Sequence, residues 1–187
     1  MSKRAEHVDQ TRQRIVDATV HLHGTVGPAH TTIAGIAEQA GVTRLTVYRH
    51  FPDEEQLFVA CTAHWFTQQQ PPDPQEWAKL DDSEERLRTG LADLYRFYRQ
   101  GEPMLTNSHR DIAVMPDQLQ RSMRDTAAHH RDVLLRPFPE IGDRRLLAAA
   151  IGHAASFTTW RSLCVEQGLS GVEAVRLMTA LVLSSAQ

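Results

Sequence analysis

Apolar residues along this chain recur at three- and four-residue intervals almost from end to end. That spacing puts side chains on one face of a helix, whereas a half-buried strand alternates. From Arg12 to His23 the stripe is Ile15, Ala18, Thr19 and Leu22, closed by Gly24 and Gly27-Pro28. Thr31-Thr32 opens a short helix from Ile33 to Ala40, Gly41 stops it, and Thr43 is the N-cap of another reaching His50. After the break at Pro52-Asp53, Asp53 with Gln56 reads as a capping box for a helix through Leu57, Phe58, Cys61 and Trp65. The proline-rich run 68–77 reads as a loop. Beyond it the pattern predicts helices near 83–100, 106–115, 117–136, 142–167 and 170–186. The breaks expected between them are Gly101-Glu102-Pro103, Pro116, Pro137-Phe138-Pro139 and Gly168. No strand-like alternation persists, so the expected fold class is all-α.

Composition narrows the picture. With 187 residues, 41% hydrophobic and 23% charged, the chain suffices for one sizeable domain or a small one joined to a larger, and disorder is excluded. Cys61 and Cys164 build neither a disulfide framework nor a four-ligand zinc site, and they suit a reducing compartment. The basic N-terminus leads into no apolar stretch, and no window reaches the roughly 18 apolar residues of a membrane span. The expectation is a cytoplasmic protein with no membrane partner. A formal charge of −3 excludes coating of nucleic acid by bulk charge. The average hides a gradient: residues 1–51 carry +2 and five of the ten histidines, leaving −5 for the remainder.

The informative stretch runs from Ile33 to Phe51. Two short helices either side of a turn at Gly41 form the helix-turn-helix layout, whose second helix enters the DNA major groove. Ala37 and Ala40 let the helices approach closely, and Gly41 permits the reversal. At 100° per residue, Val47 and Phe51 share an apolar face, opposite Leu45, Thr46 and Arg49. Arg44 and Tyr48 flank that outer face on one side and His50 on the other. Arg44 or Arg49 suits a guanine edge and Leu45 a thymine methyl, while Tyr48, His50 and the hydroxyls of Thr32, Thr43 and Thr46 suit phosphates. From residues alone, this face reads equally well as the exposed side of a small helix.

The stretch Arg14-Ile15-Val16-Asp17-Ala18, Gly27, Thr31-Thr32-Ile33, Ile36 to Thr43, Thr46-Val47-Tyr48-Arg49-His50-Phe51 and Leu57 resembles the DNA-binding domain of TetR-family transcriptional regulators. The likeness runs from about residue 11 to 60 without a gap. It implies a helix-turn-helix domain at 1–52 and a larger helical effector-binding and dimerisation domain at 53–187. It further implies a homodimer binding a palindromic operator on double-stranded DNA, most simply a repressor released by a small molecule. Three positions depart from the family pattern. His23 replaces a usual aromatic, Leu45 a small residue or proline, and Glu54 a lysine that sits near phosphate in similar proteins.

Beyond residue 60 the resemblance is one of architecture. It places the dimer interface on the last two helices, where Ala148 to Ala155 is rich in small residues. Val172, Val175, Leu177, Met178, Leu181 and Val182 make the final helix apolar more widely than one neighbour requires. Candidate ligand-binding residues for a partly apolar effector are Trp65, Tyr95, Tyr98, Met104, Met115, Met123, His129, Phe157, Trp160 and Arg161, although Met and aromatics at such spacing more often form plain core. Asp125, His129 and His130 read as exposed groups on a surface helix, so neither metal nor cofactor is expected. No nucleophile elbow or phosphate loop occurs, and the chain is not expected to be an enzyme. The alternative function is a dimeric helical adaptor with weakened DNA binding.

Overall fold

A computed structural model describes residues 3–139 and 143–185. Among them no strand occurs, and the architecture is all-α. The helices are α1 (Lys3–Thr25), α2 (Ile33–Ala40), α3 (Arg44–His50), α4 (Glu54–Thr67), α5 (Pro74–Trp77) and α6 (Ser83–Gln100). They continue with α7 (Glu102–Arg110), α8 (Asp117–Leu135), α9 (Arg144–Ala154), α10 (Phe157–Arg161) and α11 (Gly171–Ser184). The expected helix start at 142 and helix end at 186 lie outside the described residues, as do the side chains of Lys3 and Arg4. None of the helices is long and apolar enough to cross a membrane.

Two compact units result. The first joins the described residues up to 70 with 101–120, and the second joins 71–100 with those from 121 onward. In the first unit, α1 packs on α2, α4 and α7. Its core is Ile15, Val16, Ala18, Ile36, Ala37, Ala40, Val47, Phe51 and Leu57. In the second unit, α6 is central and touches α5, α10 and α11, with Leu87, Leu91 and Leu94 fully buried. Its buried Arg86 donates to the carbonyls of Ala78, Leu80 and Val133, tying the α5–α6 loop to the end of α8.

Five expectations are corrected. The first helix begins at Lys3, well before Arg12, and its first turns are exposed. Run 68–77 is not all loop: Asp73 caps Gln75 N, Pro74 starts α5, and Trp77 is buried with its indole N–H on Asp93. The helix expected at 106–115 runs from Glu102 to Arg110: the break narrows to Gly101, because proline in a first turn forfeits no intrahelical bond and Glu102-Pro103 can open α7. The expected helix 142–167 breaks at Ala155-Ser156, where Ser156 caps Thr159 N and starts α10, followed by a π-helical turn at Ser162–Glu166. The freed carbonyls of Ala154 and Ala155 accept the hydroxyls of Tyr95 and Tyr98, at 2.8 and 2.7 Å. His130 is also not simply exposed: it is half-buried with its ring 5.3 Å from that of Trp77.

Candidate nucleic-acid interface

Helices α2 and α3 have eight and seven residues, too short to persist alone, so caps and packing hold them. Thr32 accepts from Gly35 N at 3.1 Å and Thr43 from Thr46 N at 3.2 Å. Gly41 ends α2 at φ 65°, the left-handed conformation that favours glycine, and its N–H bonds back into the helix. Val47 and Phe51 are 0% and 2% exposed and anchor α3 to the core, with Ala37 and Ala40 buried where α2 meets it.

Anchoring that face turns the other outward. Leu45 is 68% and Tyr48 49% exposed, and Arg44 and Arg49 are exposed beside them. Thr46 and His50 are half-buried; Thr43 is exposed, and its hydroxyl is shared between the cap and Thr46 Oγ1 at 2.9 Å. Thr32 lies exposed at the start of α2. Partial burial first, then the nearby Arg12 and Arg49, hold His50 below its ordinary pKa. Its ring is thus neutral at pH 7 and offers a hydrogen bond, not a charge.

Three further groups belong to this geometry. Asp53 caps α4 through Gln56 N, and the Gln56 amide returns to the Asp53 carboxylate, so the box closes side chain to side chain. Glu54 and Glu55 fill the first turn of α4 and are exposed. Arg12, which motif reasoning counted only as charge, donates to the His50 carbonyl at 2.9 Å and stacks over Phe51. A sequence-level signal existed: an arginine three residues before Ile15, on the helix that packs the reader.

His23 is a core histidine, 4% exposed, with its ring 4.7 Å from that of Phe58 and Nδ1 3.4 Å from Cys61 Sγ. Burial lowers its pKa to about 4, opposed only in part by Asp111, and pushes the Cys61 thiol up to about 12. At the C-terminal end of α1 the chain turns at Gly27, φ 93°. Arg110, which ends α7, donates to Val26 O at 2.9 Å, and the Asp111 carboxylate accepts from Ala29 N at 3.0 Å and from Arg110. The Arg110 bond first, and then the Ala29 bond, hold Asp111 down at about 2.

The ligand candidates divide between the units. In the second unit Tyr98 lies 5.5 Å from Phe157 and 6.1 Å from Trp160, with Tyr95 6.4 Å away, ring to ring. Arg161 pairs there with Glu166, Met123 is half-buried and His129 is exposed on α8. Trp65, Met104 and Met115 belong to the first unit, where Trp65 packs on Gly101 and Met104 reaches Gly24. None of these ten lines the groove of about 590 Å³ between α9, α10 and α11, which is bounded by Ala150, His153, Thr159, Leu163, Leu177 and Leu181.

Residues 15–61 match the model of the bacterial regulatory proteins of the tetR family. The regulator AcrR of Shigella flexneri is 39% identical over 56 residues, 30% of this chain and 26% of that protein. The match thus spans about a quarter of such a relative's length. The repressor NicS of Pseudomonas putida is 24% identical over 147 residues, 76% of this chain and 68% of its own. A solved TetR transcription regulator from Haloarcula marismortui shares the fold at TM-score 0.56 and 16% identity, covering 95% of this chain and 96% of its own. A candidate fatty acid metabolism regulator of Clostridium perfringens does so at 0.62 and 16%, covering 92% and 97%. Residues 15–61 thus match the tetR family of bacterial regulatory proteins in sequence, and the helical fold of the rest of the chain is shared with solved structures.

Proposed function

We propose that the protein is a ligand-responsive transcriptional regulator, a repressor that binds a palindromic operator as a homodimer in the cytoplasm and leaves it when a small molecule binds. The observation that carries this is the outer face of α3, where Arg44, Leu45, Tyr48 and Arg49 are exposed on a helix pinned by Val47 and Phe51. An apolar residue as large as Leu45 at 68% exposure is well placed for a thymine methyl, and the arginines for guanine edges. Residues 1–52 act as the reader and 53–187 as the effector-binding and dimerisation part. Specific reading needs two such helices one DNA turn apart, which a two-fold dimer provides.

Support for the dimer comes from α9 and α11. Ala174, Val175, Met178 and Val182 of α11 are buried, yet Leu177 and Leu181 remain 41% and 52% exposed on the groove side, and Leu146 of α9 is 56% exposed. The effector, a partly apolar small molecule, would bind among the helices of the larger part, with Tyr98, Phe157 and Trp160 as candidate apolar walls and Arg161 as a polar group. It shifts the equilibrium only by its differential affinity for the two conformers. Because Arg110 and Asp111 grip the Gly27 turn, movement of α7 would reach α1 and the reader.

The test is a binding titration on duplex DNA from beside the coding gene, across a range of salt. Specific binding that weakens steeply with salt is expected. It should be lost in the double variant Tyr48→Ala, Arg49→Ala. Full affinity in that variant refutes the site, and absence of binding in the wild type favours the adaptor reading.

A further inference from the structure

Arginines near a DNA-reading helix are usually counted as phosphate contacts. Arg12 is engaged otherwise. Its Nη1 donates to the His50 carbonyl at 2.9 Å, and its Cζ lies 4.0 Å from the centroid of the Phe51 ring. His50 is the last residue of α3, and Phe51, its C-cap, is extended and 2% exposed. The guanidinium therefore satisfies one of the orphan carbonyls of the helix end and places positive charge at the negative end of its dipole. It also roofs the ring that seats this end in the core, a stacking that a planar cation suits.

We propose that Arg12 is a positioning residue for DNA reading: from α1 it fastens the C-terminal end of α3 and so sets the direction of Tyr48 and Arg49. This rests on the DNA-binding reading above. Helix α3 has seven residues, Thr43 capping one end and Arg12 the other, so the clamp is complete only with both. The amino-terminal contact lies within the motif; the carboxy-terminal one comes from 38 residues upstream.

The experiment uses full-length wild type, Arg12→Gln and Arg12→Lys. Hydrogen exchange of the DNA-free proteins reports the amides of residues 48–51 against those of 15–22. Binding to a duplex from upstream of its own gene is measured between about 50 and 200 mM salt. Arg12→Gln is expected to speed exchange at 48–51 about tenfold and weaken binding about tenfold, which is ~1.4 kcal/mol, the size of one such bond. The log–log salt slope stays unchanged, and Arg12→Lys, which keeps charge and a donor but not the planar stack, falls between. A slope shallower by about one, the mark of a lost phosphate contact, overturns the proposal. So does unchanged exchange at 48–51. If the wild type does not bind the duplex, the DNA-binding reading fails, and the exchange arm still decides whether Arg12 holds α3. Arg12→Lys carries the comparison if Arg12→Gln does not fold.

Discussion

Acidification should destabilise this protein through His23 before most of its carboxylates titrate. The ring is 4% exposed, faces Phe58 and Cys61, and has its pKa lowered to about 4 by burial. In the unfolded chain the same ring titrates near its ordinary value of about 6.5. Between those values the unfolded state takes up a proton that the native state refuses. The contribution is therefore complete above about pH 7, falls as pH drops through 6.5, and levels out below about 4. The loss amounts to about 2 kcal/mol at pH 5 and about 3 kcal/mol in full. Against a domain stability of about 5–15 kcal/mol that is large. Urea unfolding at about pH 7.5 and pH 5, wild type beside His23→Phe, isolates it, since other groups contribute to both proteins alike. The wild type should lose about 2 kcal/mol more than the variant on acidification. Equal losses would refute the assignment of the acid sensitivity to His23.

Glu54→Lys removes an exposed acid from the first turn of α4, just after the reader. It should tighten operator binding and steepen its salt dependence, at a helix-dipole cost of about 0.3–1 kcal/mol, with titration at fixed salt as the check. Leu177→Glu with Leu181→Glu charges the open face of α11 while leaving its buried face intact, and should convert a dimer to a folded monomer by sedimentation. A dimer that survives at the same concentration would displace the interface from this groove. Asp111→Ala strips the partner from Ala29 N–H and releases Arg110, and should lower the unfolding free energy by about 1–3 kcal/mol, read as a lower urea midpoint with the slope unchanged.

Local chemistry made much of the reader legible. Thr32, Thr43 and Asp53 cap helices wherever the chain places them, and Gly41 is read directly from its freedom at positive φ. Elsewhere local rules misled. Ala148 to Ala155 is an excellent helix former, yet Ser156 starts a new helix because Tyr95 and Tyr98, nearly 60 residues away, hold the carbonyls at the break. Those tyrosines read as pocket candidates by type, and their hydroxyls serve the backbone. His23 read as a departure from pattern, but only packing against Phe58 and Cys61 shows how far its charge is suppressed.

Sequence by itself determined the helical class, the helix-turn-helix and the outward face of α3, because periodicity and caps act within a few residues. It also identified the dominant charge asymmetry. Tertiary structure alone decided what the long polar side chains do: Arg12 on the end of α3, Arg86 among three carbonyls, Arg110 and Asp111 on the Gly27 turn. An arginine carries the same charge and reach in any sequence window. Whether it meets a phosphate or a carbonyl depends on which helix end the fold brings beside it.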